Sequence, residues 1–102
     1  MLTHRQLAVL RAALQFFDEE LSPHAPEMAR PYFEDQGERD LTAAETGALR
    51  ELLSTCCLRY ACCDPTGTYV LTSELIMTVE QANAAAADYS GHVASVLLTP
   101  HS

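Results

Sequence analysis

Apolar residues recur at helical spacing along three stretches of this chain. Leu7, Leu10, Leu14, Phe17 and Leu21 follow one another at intervals of three and four, so they fall on one stripe of a helix over about 3–21. Thr3 followed by Gln6 fits a capping box, with Leu2 and Leu7 placed as a hydrophobic staple. A second helix is expected over about 42–63, with Leu49, Leu52, Leu53, Cys56, Tyr60 and Cys63 inside. Thr42 with Glu45 three residues later is its capping box. A third is expected over about 73–90, continuing to 98 unless Gly91 ends it and leaves Val93 to Leu98 as a separate short element. Leu75, Val79, Ala82, Ala86, Tyr89, Val93 and Val96 repeat at four and three, a heptad register.

The intervening segments carry turn chemistry. Ser22-Pro23 is read as the end of the first helix, since the residue before proline avoids the helical region. Pro23, Pro26 and Pro31 then rule out a long helix over 22–40, leaving short turns such as 31–36 with Gly37 as a stop. Asp64-Pro65-Thr66-Gly67 is a turn, in which proline presets one backbone angle and glycine permits a positive one. Residues 68–72 (TYVLT) have strand composition. Their nearby partner, residues 58–63, falls in the second helical pattern, so a minor β-hairpin around 58–72 is the lesser alternative. The expected fold is therefore all-α: a small bundle of three main helices, forming a single helical domain over 1–102.

Charge narrows the range of functions. Across 102 residues, six arginines and no lysine face fourteen carboxylates, for a net charge of −8. Nine of those carboxylates lie between Asp18 and Glu45, with two arginines among them. Phosphate contacts come from Lys and Arg, so nucleic acid and anionic membrane surfaces are poor partners. A Schiff-base or P-loop lysine is impossible. No apolar run is long enough to span a bilayer, and Arg11 interrupts the only candidate signal sequence. A cytoplasmic protein with reduced thiols is the expectation.

Cys56, Cys57, Cys62 and Cys63 form the most suggestive cluster. Structural zinc sites use cysteine pairs separated by a loop. Adjacent residues on a helix diverge by about 100°, and Cys56 and Cys63 would lie roughly 10 Å apart. Buried apolar cysteines are the ordinary reading. In Phe33–Glu45, the residues Glu34, Gln36, Glu38, Asp40 and Glu45 take alternating positions and the last one, and Leu41 takes the apolar one. This stretch resembles an EF-hand calcium loop. It departs from one at Arg39, where the turn demands glycine, and at Glu34, where aspartate is usual.

The phrase from Leu41 to Glu45 with Leu49-Arg50-Glu51-Leu52-Leu53 is similar to helix starts in winged-helix and response-regulator DNA-binding domains. The helix so begun holds only Arg50 and Arg59, too few for a basic recognition helix. His4, His24, His92 and His101 are far apart in sequence, and no nucleophile motif appears.

The expectation is a non-catalytic, acidic protein-interaction or regulatory module with no cofactor. If the last helix ran unbroken to residue 98 it would be about 39 Å long. Its overhang would then pair with a second copy through Leu75, Val79, Ala82, Ala86, Tyr89 and Val93. The alternative is a metal- or redox-responsive protein. It would use the Cys cluster, above all Cys56 and Cys63, or the acidic loop residues Glu34, Glu38, Asp40 and Glu45.

Overall fold

The computed structural model describes residues 1–100; His101 lies outside the described residues. The fold is mixed α/β, which overturns the all-α expectation. In order, the elements are α1 (His4–Phe16), a π-helical turn (Phe17–Leu21), α2 (Ser22–His24), α3 (Pro26–Asp35), α4 (Ala43–Thr55), β1 (Cys57–Cys63), α5 (Val79–Ala86) and β2 (His92–Leu98). The chain divides into two compact units, Arg5–Thr55 and Met1–His4 with Cys56–Ser102.

The first unit is helical. Pro23 does not stop α1 as the sequence reading expects. The helix widens instead into the π turn, where the Ser22 N–H donates to the Phe17 carbonyl, and continues to His24. The wide turn comes just before Pro23, whose ring would clash in α register with the carbonyl four residues earlier, that of Glu19. The Pro-rich stretch likewise holds a ten-residue helix rather than isolated turns, with Pro26 at its start and Pro31 inside. Gly37, at φ 70°, ends it as expected. Edge-to-face contact of Phe17 and Phe33, with ring centroids 5.9 Å apart, ties the π turn to α3. Arg50 of α4 spans Asp18 (2.7 Å) and Glu19 (3.3 Å). The Arg11 Nε–H donates to the Leu53 carbonyl at 2.7 Å.

The α4 start is the capping box read from the sequence. The Thr42 N–H donates to Glu45 Oε1 at 3.1 Å, and the Glu45 N–H donates to Thr42 Oγ1 at 3.2 Å. The Thr42 N–H, and after it the Thr42 hydroxyl, hold the Glu45 carboxyl below the usual carboxylate range.

The second unit is built on β1. The predicted second helix ends at Thr55, and residues 57–63 are extended. β1 pairs antiparallel with β2, from Cys57 opposite Leu98 to Cys63 opposite His92. Its other edge is also paired. The Tyr60 N–H donates to the Ile76 carbonyl (2.8 Å), and the Ile76 N–H donates back to the Tyr60 carbonyl (2.7 Å). The Leu71 N–H donates to the Cys62 carbonyl, and Cys63 bridges Val70. The β structure set aside as minor is thus substantial, but the full partner of β1 is β2, and the 68–72 segment adds only an isolated bridge at Val70. The turn after β1 is as read: the Gly67 N–H donates to the Asp64 carbonyl with Gly67 at φ 72°. Asp64 accepts from the Thr66 hydroxyl and the Tyr69 N–H, which lowers its carboxyl below the ordinary range.

As the central strand, β1 is buried on both faces. Leu58, Tyr60 and Cys62 share one face with Ala61 and Cys63 opposite, and all five are buried. The N-terminal segment binds over Tyr60, whose hydroxyl donates to the Leu2 carbonyl at 2.7 Å. The Leu2 N–H donates to Ser95 Oγ at 2.7 Å, and His4 meets the Tyr60 ring edge-on. α5 packs against both strands, with Ala82 fully buried. It begins only at Val79, because Thr78 caps it by accepting from the Gln81 N–H. Among the described residues, no helix is long and apolar enough to cross a membrane.

Candidate association surface

The side chains singled out for chemistry do not converge. Cys56 ends the link from α4, while Cys57, Cys62 and Cys63 lie on β1. Cys56 and Cys63 do not share a helix face. They stand seven positions apart along extended chain, on the order of 20 Å. Cys62 and Cys63 point to opposite faces of the strand. No disulfide joins any of the four. Cys56, Cys62 and Cys63 are buried and Cys57 alone is exposed. Burial blocks a reagent's access to the sulfur. Titration of the native protein with a thiol reagent is therefore expected to give one fast equivalent, and four only after denaturation. Rapid reaction of all four would show that β1 is not the buried strand described here.

The acidic loop is also dispersed. Glu34 belongs to α3, Glu38 and Asp40 to the connection, and Glu45 to α4. The Glu45 carboxylate is used by its capping box, and Asp40 pairs with Arg30 at 3.4 Å. Arg30 and Arg39 line the same depression as Glu34, Glu38 and Asp40, so cations already occupy the surroundings of these acids. Among the described residues, no group of three or more His, Cys, Asp or Glu side chains is placed to hold a metal. Arg59, assigned by sequence to the helix from Thr42, lies on β1.

The predicted pairing seam also breaks up. Of its residues, Val79, Ala82 and Ala86 are helical. Leu75 precedes α5, Tyr89 follows it, and Val93 lies in β2. Ala82 is wholly buried and cannot reach a second copy. The unbroken helix to residue 98 does not exist, because Gly91 and the β2 pairing take its second half.

What the tertiary structure presents instead is a strand edge. Tyr60 turns its N–H and C=O toward Ile76, so Tyr60 and Ser95 form a non-hydrogen-bonded pair across β1 and β2. Alternation then fixes the rest of β2. Val93, Ser95 and Leu97 direct their N–H and C=O groups away from β1, and Ala94 and Val96 direct theirs inward. Among the described residues, no backbone group bonds to those of Val93, Ser95 or Leu97. The strand HVASVLL has no charged residue and no proline along this edge. Leu97 and Leu98 are exposed beside it. Edge strands are normally blunted by charge, proline, a bulge or a cover, and among the described residues none of these protects the outer edge of β2. Sequence alone does not reveal this surface: the heptad register runs through Val93 and Val96, and ending the helix at Gly91 leaves 93–98 only as a short element of unassigned type. The β-branched Val93 and Val96 after an isolated Gly91 were the available signal.

Compared with protein-family models, curated proteins and solved structures, the chain matches none.

Proposed function

We propose that this chain is a non-catalytic protein-association module that self-associates by strand pairing at β2. The observation carrying this reading is the uncharged outer edge of β2, with its free backbone groups at Val93, Ser95 and Leu97. An antiparallel copy centred on Ser95 would set Val93 against Leu97 and satisfy every one of those groups. Pairing of this kind draws affinity from main-chain hydrogen bonds and specificity from alternate side chains. No charge lies on the strand itself, so the repulsion between two copies at −8 acts at long range and weakens with added salt, which should favour the dimer.

Light scattering is expected to give a dimer at concentrations on the order of tens of micromolar. Leu97→Pro should return it to a monomer. That substitution removes an outward N–H and no bond to β1, so the native fold is retained. Amide exchange offers a second readout: the Val93, Ser95 and Leu97 amides should slow as concentration rises, while those of Ala94 and Val96 stay protected throughout. A strict monomer, or a dimer indifferent to Leu97→Pro, would refute strand pairing.

A further inference from the structure

A groove of about 550 Å³ opens between the 72–77 segment and the end of α5. That volume is within the range of recognition pockets, about 300–1,000 Å³. Leu75, Met77 and Tyr89 line it while remaining 46%, 57% and 40% exposed. Met adapts its shape to varied apolar partners. Glu74 and Asp88 line the same groove, and no arginine does. Arg59 is the one arginine of this compact unit, and its Nη1–H donates to the Leu58 carbonyl. Neither Glu74 nor Asp88 takes part in an ion pair among the described residues. The groove therefore presents apolar surface together with uncompensated negative charge.

We propose that this groove binds a partner protein through a segment that carries apolar side chains flanked by Lys or Arg. Charge complementarity decides the occupant. A second copy of this chain carries six arginines against fourteen carboxylates and a net charge of −8, so as a whole it is repelled by this surface, whereas a basic partner is drawn to it. A basic amphipathic segment supplies both requirements, and the acidic field speeds its encounter. The proposal deepens the association reading at a surface distinct from the β2 edge. Leu97→Pro should abolish self-association and leave groove binding intact, so the two can fail separately.

The test is fluorescence anisotropy with a labelled peptide of about twelve residues, Leu and Lys at helical spacing. Two comparison peptides replace Lys by Glu, or Leu by Gly and Ser. Only the Leu/Lys peptide should bind well, and its affinity should fall with added salt. Glu74→Gln with Asp88→Asn should weaken it by at least about five-fold, and so should Leu75→Ser alone. Glu27→Gln with Glu51→Gln, the same change in net charge on the other compact unit, should alter it by less than about two-fold. Binding that is equally strong for the Lys/Gly/Ser peptide, or equally sensitive to the Glu27 and Glu51 changes, would reduce the effect to bulk charge and overturn the proposal. So would groove variants that bind like the wild type.

Discussion

Alanine in place of Gly91 is expected to destabilise the protein by at least about 2 kcal/mol, near the upper part of the range for overpacking. The reason is backbone against backbone. A Cβ at Gly91 would overlap the Cys63 carbonyl oxygen. It would also stand 3.1 Å from the Cys63 carbonyl carbon and 3.2 Å from that of Asp64. No side chain can swing aside to relieve this, so the start of β2 must move away from the end of β1. Gly47→Ala is the matched control. Gly47 lies inside α4, where an added Cβ meets nothing within 4 Å. There alanine should stabilise by about 0.5–1 kcal/mol, through helix propensity and a less flexible unfolded chain. Urea denaturation followed by far-UV circular dichroism reads both. Equal behaviour of the two variants would mean that β2 does not approach β1 at Gly91.

Tyr60→Ala carries the largest expected loss, roughly 3–5 kcal/mol for an emptied aromatic site. Small domains are stable by only about 5–15 kcal/mol, so this variant should be largely unfolded in modest denaturant. Tyr60 is the largest fully buried side chain among the described residues, on the strand that both β2 and the 69–76 segment pair with. Tyr60→Phe separates ring from hydroxyl. It keeps the buried ring and loses the hydrogen bond to the Leu2 carbonyl, at a cost of about 1 kcal/mol. It should also release the N-terminal segment, visible as faster exchange of the Leu2 amide, which otherwise donates to Ser95 Oγ. A Tyr60→Phe variant as unstable as Tyr60→Ala would place the energy in the hydroxyl rather than in the packing.

The same strand shows why helical periodicity misleads here. Residues 56–63 read CCLRYACC, and nearly every position is buried. A short apolar run buried on all sides has no period of its own, so it extends whatever pattern precedes it. The α4 stripe of Leu49, Leu52 and Leu53 thus runs on into Cys56, Tyr60 and Cys63 without a break in the sequence. Local chemistry did contain the correction. Asp64-Pro65-Thr66-Gly67 lies between two apolar runs of strand length, and that is a hairpin signature. In the last third, Val79, Ala82 and Ala86 belong to a real helix. Val93 and Val96 share its register by coincidence of spacing and lie in β2.

The candidate surfaces were less legible still. Which backbone groups of β2 face outward depends on Tyr60 bonding Ile76, a pairing across sixteen positions that no local pattern encodes. The groove gathers Glu74 and Leu75 with Asp88 and Tyr89 only because the 72–77 segment is held to β1 beside α5.

What the residues alone determined were features set within a turn or two of chain. The Thr42–Glu45 capping box is one, and the positive angles at Gly37 and Gly67 are others, because their bonds and steric limits are local. The acidic character and the exclusion of lysine chemistry follow from composition. The tertiary structure decided whether an apolar run became helix or strand. That choice rests on which distant backbone groups arrive to pair with it, and on burial that local spacing does not record.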